Sequence, residues 1–167
     1  MSAKARGANG VAYARSTPRP TGTTAWQLGL GGLGLLVSAY LTATHYFAEQ
    51  VPLACSTGGF VDCEQVTTSA ESMVGAVPVA VLGLVWFGVL LALVAGRRVR
   101  LSRSLLNLQM GWAVLGLLSI FYLVYAELFL IGALCLWCTV VHALVVVLFL
   151  MTLWEATGPM PLSYETT

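Results

Sequence analysis

The stretch Gly132-Ala133-Leu134-Cys135-Leu136-Trp137-Cys138-Thr139-Val140-Val141-His142 places a Cys-x-x-Cys pair where an apolar, helix-forming run begins. Two thiols at that spacing on one helical turn can close a disulfide and reopen it. The first turn of a helix offers unpaired N–H groups and the positive end of its dipole, which favour a thiolate. The same spacing also serves metal binding, so the pair alone leaves redox and metal chemistry open. His142 stands four residues beyond Cys138 on the same helical face. A histidine one turn inside an apolar helix needs a partner or a function.

The run that follows the pair is one of four. Hydrophobic residues make up 58% of the 167-residue chain and charged residues 9%, against about 45–50% and about 25% in soluble domains. Residues 26–47, 77–95, 104–126 and 134–154 are each long enough to cross a bilayer, and none contains Asp, Glu, Lys or Arg. The expected fold is therefore an all-α membrane protein, a bundle of four transmembrane helices with an outer loop capping the active site.

Charge orients that bundle. All eight bases fall in two places: Lys4, Arg6, Arg15 and Arg19 in the N-terminal tail, and Arg97, Arg98, Arg100 and Arg103 between the second and third runs. The positive-inside rule puts both segments, and hence both termini, on the cytoplasmic side. Residues 48–76 and 127–133 then face outward, with Glu49, Asp62, Glu64, Glu71 and Glu127 and no base. All four cysteines share that outer face of the inner (plasma) membrane, where disulfides persist.

Residues 1–24, rich in Gly, Ser, Thr and Pro with scattered bases, read as a disordered cytoplasmic tail, and 156–167 as a short one. The four-helix domain occupies 25–155. Gly34, Ser38 and Thr42 recur every four residues and form a small-residue face for close helix packing. Gly75-Ala76-Val77-Pro78 reads as the opening of the second helix, and Gly96 as its end before the arginines. Asn107 and Gln109 read as interfacial or interhelical hydrogen-bonding groups. Tyr122 and Tyr125, near the outer end of the third helix, suit an aromatic belt or the lining of a pocket for a flat ring.

The first outer loop contains Cys55-Ser-Thr-Gly-Gly-Phe-Val-Asp-Cys63, in which Gly58-Gly59 lets the chain fold back so that the thiols meet. A static disulfide there would stabilise the fold by roughly 2–3 kcal/mol. A mobile one could take electrons from a soluble dithiol protein and deliver them to Cys135 and Cys138. A pair fixed at the mouth of a bundle needs a lipid-soluble, two-electron acceptor. A quinone meets that requirement, with Trp137, His142, Tyr122 and Tyr125 as candidates to bind it. No nucleic-acid, phosphate-loop or hydrolase pattern is present, and the arginine cluster is explained by topology.

The arrangement resembles the vitamin K epoxide reductase family, and specifically its bacterial quinone-linked members. The resemblance rests on Cys55…Cys63, on Val77-Pro78-Val79-Ala80-Val81-Leu82-Gly83, and on Cys135-Leu-Trp-Cys138-Thr-Val-Val-His142, and it spans nearly everything from Trp26 to Trp154. It implies a four-helix bundle around a quinone of menaquinone, ubiquinone or vitamin K type. Cys55 and Cys63 would be the shuttle pair and Cys135 and Cys138 the active-site pair, with Cys63 relaying to Cys135 and Cys138 beside the quinone. Many bacterial relatives carry a fused thioredoxin-like domain. This chain ends at Thr167, which implies a separate thioredoxin-fold (DsbA-like) partner on the outer face. Animal members have a polar asparagine near the start of the second helix and a tyrosine where this chain has His142. Those departures point to quinone reduction coupled to disulfide formation rather than epoxide reduction.

Oxidases of the DsbB type carry the same two kinds of pair in the reverse order along the chain. The alternatives from other classes are a structural four-span protein with static disulfides and a metal site built from all four cysteines.

Overall fold

A computed structural model describes residues 22–55, 57–100 and 102–157. Four long helices dominate it: α1 (Gly22–Tyr46), α3 (Val79–Val99), α4 (Arg103–Tyr125) and α5 (Leu136–Thr157). Each is long and apolar enough to cross a membrane. Between α1 and α3 lies a cap built from short pieces. Strands β1 (Thr57–Gly58) and β2 (Val61–Asp62) form a hairpin, helix α2 (Cys63–Thr67) follows, and β3 (Met73–Val74) pairs with β4 (Val77–Pro78). The expected tail lies outside the described residues except for Gly22–Thr24, which form the first turn of α1 rather than tail. Thr23 and Thr24 carry no charge, so nothing obliges them to leave the helix for water.

The helices close a ring in the order α1, α3, α4, α5. Lipid tails are as apolar as leucine, so helix association here comes from close packing and interhelical hydrogen bonds rather than from hydrophobic burial. Gly34 of α1 lies directly under the Phe87 ring of α3, so close that a β-carbon there would overlap it. One turn on, Ser38 faces Gly83. Gly116 of α4 gives the same room to Trp86. Trp86 and Trp112 also bond reciprocally, each indole N–H donating to the other's backbone carbonyl at 3.1 and 3.0 Å. The core between the helices holds Trp86, Phe87, Leu90 and Val94 with Ile120, Leu144, Val145 and Leu148.

Two helix ends differ from the sequence reading. Gly75-Ala76 makes the turn of the β3–β4 hairpin, with Gly75 at φ +64°, and Pro78 caps α3 instead of lying in its first turn. Gly96 does not end α3, which runs on to Val99. The reason lies in Arg97, whose guanidinium turns inward to Glu155 at 2.7 Å and donates to Gln109 Oε1 at 2.6 Å. Gln109 Nε2 in turn donates to Thr152 Oγ1 at 3.0 Å, and Gln27 Nε2 donates to Glu155 at 3.4 Å. One polar network thus ties all four long helices together at the arginine end of the bundle.

At the opposite end α4 widens into a π-helical segment, Ala126–Ile131, in which the Gly132 and Ala133 N–H groups donate to the Glu127 carbonyl. Gly132, at φ +72°, terminates it and turns the chain toward α5. The 127–133 connection, read from the sequence as an outward-facing segment between two spans, is therefore mostly helical. Such π segments concentrate at functional sites.

Candidate functional site

The cysteine end is assembled by the cap. Strand β2 bridges to the segment before α5 through Val61 and Leu134. The Asp62 N–H donates to the Leu134 carbonyl at 3.0 Å, and the Leu134 N–H donates to the Phe60 carbonyl at 2.9 Å. This register sets Cys63, the first residue of α2, beside Cys135, the residue before α5. Asp62 fixes the start of α2 by accepting the Gln65 N–H at 3.0 Å. Cys63 and Cys135 are both fully buried and share one apolar cluster with Val66 and Ala133. Cys55 and Cys138 also pack against that cluster.

Cys55 and Cys63 are joined in a disulfide with a Cα–Cα distance of 6.0 Å, whereas Cys135 and Cys138 are free thiols. Cys135 occupies the N-cap position of α5, and its sulfur accepts the Cys138 N–H at 3.3 Å. The Cys138 side chain is the main influence that holds the Cys135 thiol below its ordinary range, with the Cys138 and Trp137 backbone N–H groups adding to it. Burial and the charge of Glu127 act in the opposite direction. A helix N-terminus with a second thiol thus supplies what a lysine or arginine would supply elsewhere.

Beneath the cap, between the helices, lies a cavity of about 650 Å³. Cys138 and His142 of α5 are on its wall, His142 one turn below the thiol and mostly buried. Trp86, Phe87, Trp112 and Gly116 contribute apolar surface deeper in. Tyr122 also lines it. Tyr125 does not; it is exposed and stacks on Phe129, ring centroids 5.2 Å apart.

Trp137 stands elsewhere as well. Its indole N–H donates to the Ala54 carbonyl at 2.9 Å, and its ring meets Tyr40 edge to face at 5.4 Å. The Tyr40 hydroxyl donates to the Pro52 carbonyl at 3.0 Å and accepts the Ala54 N–H at 2.8 Å. Three hydrogen bonds from α1 and α5 thus converge on the residues leading into Cys55.

Sequence reasoning missed two residues here. Tyr40 sits inside an apolar run with nothing in its neighbourhood to single it out. Glu127 read only as one of five acids facing outward. The structure buries it to 4% exposure on the cavity wall.

Among the described residues no three His, Cys, Asp or Glu side chains are grouped to hold a metal ion. What the geometry defines is a membrane helical bundle with a disulfide, two free thiols and a buried contact zone between them: a membrane thiol–disulfide oxidoreductase. The sequence matches the vitamin K epoxide reductase family over residues 25–153, most of the chain. The chain belongs to that family. No curated protein matches it.

Proposed function

We propose that the protein reoxidises a thioredoxin-fold dithiol protein on the extracytoplasmic face and passes the electrons to a membrane quinone, supporting disulfide formation. The observation that carries this reading is the β2–Leu134 register, which brings a disulfide and a dithiol into one buried cluster above an apolar cavity.

The cap disulfide is asymmetric. Cys55 is half-buried and Cys63 fully buried, so an incoming thiolate meets the Cys55 sulfur and releases Cys63. The partner's second thiolate resolves the mixed disulfide and frees Cys55. Cys63, beside Cys135, attacks the Cys135–Cys138 disulfide and releases Cys138, and Cys55 then attacks Cys63 and releases Cys135. The cap pair is re-formed and the electron pair passes to two thiols on α5. With the upper pair oxidised and the lower pair reduced, the next step is transfer to the acceptor.

A quinone supplies a two-electron, two-proton acceptor when bound. The cavity suits its ring: about 650 Å³ falls within the roughly 300–1,000 Å³ typical of small-molecule sites, and the walls are mainly apolar. Leu82 and Val85 of α3 and Leu115 and Leu118 of α4 line the cavity and are also exposed on the bundle surface. Entry between those helices would give a lipid-dissolved molecule a route in. Cys138 would then lie next to the acceptor, with His142 and Tyr122 as the polar groups available to its ring oxygens. The arginines at the opposite end support a cytoplasmic placement of that end and both termini.

The test is quinone reduction followed by absorbance, with a reduced DsbA-like protein as donor and purified protein in lipid nanodiscs. Cys138→Ala and Cys135→Ala abolish turnover while the helical circular dichroism is retained. Turnover retained in Cys138→Ala would falsify the reading. Loop variants Cys55→Ala and Cys63→Ala block the protein donor but leave reduction by dithiothreitol in place.

A further inference from the structure

Two electrons leave the Cys135–Cys138 pair only if two protons leave with them, and the Cys135 thiol is fully buried. Glu127 is the carboxyl that faces this problem. It is 4% exposed on the cavity wall that also holds Cys138. It feels the charge state of both thiols, and they feel its own. No base lies between residues 27 and 96 or beyond 103, so no lysine or arginine of the cap or of α5 can neutralise it. Glu127 lies in the π-helical segment of α4, where its backbone carbonyl takes both the Gly132 and Ala133 N–H groups. The other titratable groups on the cavity wall are His45 from α1, Glu71 from the cap, Tyr122 on α4, and Cys138 and His142 on α5. Glu127 is the most deeply buried acid among them.

We propose that Glu127 is the proton carrier of the active-site pair, taking up the proton released from the Cys138 thiol and returning one toward the acceptor in the cavity. The balance is simple. Two S–H bonds break, the S–S bond between Cys135 and Cys138 forms, and two electrons and two protons pass to the acceptor. Glu127 ends each cycle in the state in which it began. A carboxyl buried without a cation suits this task, because it exchanges protons without an ion-pair partner to release. The proposal rests on the quinone reading above.

Glu127→Gln keeps the size of the side chain and its capacity to hydrogen-bond and removes the titratable carboxyl. It is expected to lower kcat on the order of 10²-fold, the lower end of general acid–base contributions. The KM for a short-chain quinone and the rate of cap-disulfide reduction by dithiothreitol should stay unchanged. Glu127→Asp should recover part of kcat, with a displaced pH profile. A second readout needs no quinone. Infrared difference spectra between the reduced and diamide-oxidised pair should contain a protonated-carboxyl band that disappears in Glu127→Gln.

Wild-type kcat and pH profile in Glu127→Gln overturn the proposal. So does an equal loss in Gln and Asp variants with no carboxyl band, which is the signature of a structural role. Wild-type protein without quinone turnover sinks the quinone reading instead. The infrared band then still decides whether Glu127 takes the thiol proton.

Discussion

The bundle buries a glutamate at each end and treats them in opposite ways. Glu155 sits at the arginine end, paired with Arg97 at 2.7 Å and bonded by Gln27. Glu127 sits at the cysteine end, on the cavity wall, with no lysine or arginine in the cap or in α5. A buried carboxylate with an arginine, a glutamine and a neighbouring threonine–glutamine pair is a fastener. One facing an apolar cavity and two thiols is a group kept available. The difference teaches where the fold invests in rigidity and where it leaves chemistry uncommitted.

The sharpest way to break this contrast is to unpair Glu155. Arg97→Met removes the guanidinium that serves Glu155 and Gln109 together, leaving Gln109 Oε1 without its donor and Glu155 with Gln27 and no cation. Loss of one member of a buried pair costs about 3–5 kcal/mol, and the 12% and 11% exposure of these side chains places them near that regime. Thermal unfolding in detergent should show it, while quinone turnover per folded molecule stays unchanged. The double variant Arg97→Met/Glu155→Met should recover most of the stability, because no charge is then stranded. An unaltered midpoint in the single variant would show that the network fastens nothing.

The two ends also differ in how far the sequence disclosed them. Four runs free of charge and eight bases in two clusters were enough to read the helical bundle, because membrane spans leave no room for ambiguity in length or charge. The cysteine pairs were equally plain, since thiols at helix-turn and loop spacing have few uses. What stayed hidden depends on side-chain direction. Arg97 read as one of four topological charges, yet it is the one that turns inward and carries α3 past Gly96. Trp137 read as a ring for a quinone to rest on, and the structure sends its indole to Ala54. Glu127 read as an exposed acid because a helix that widens by one residue per turn has no signature in residue type. Periodicity at 3.6 residues cannot anticipate a π segment.

A middle-sized effect is expected where α1 and α5 grip the cap. Tyr40→Phe removes two hydrogen bonds and Trp137→Phe one, at roughly 0.5–1.5 kcal/mol each. These bonds hold residues 52–54, which lead into Cys55, so their loss should act on traffic more than on folding. The rate at which a reduced protein donor opens the cap disulfide should change severalfold, while quinone reduction from dithiothreitol-reduced Cys135–Cys138 stays the same. A cap grip that matters only for stability would lower the unfolding midpoint and leave both rates alone.

The smallest effect concerns the Cys135 thiol, and it tests whether the cysteine end is electrostatically as open as the comparison claims. Its acidity is raised first by the Cys138 side chain and then by backbone N–H groups, against burial and the charge of Glu127. The signs follow directly. A donor that favours the thiolate lowers the titration midpoint, so Cys138→Ala should move the ultraviolet thiolate signal to higher pH. Cys138→Ser, which keeps a hydroxyl donor, should move it less. Glu127→Gln removes a negative charge that disfavours the thiolate, so its midpoint should move to lower pH. Opposite shifts in the Ala and Gln variants would show that two neighbouring side chains set this thiol between them. A midpoint indifferent to both would assign its acidity to the α5 N-terminus alone, with the Cys138 N–H at 3.3 Å as the remaining donor.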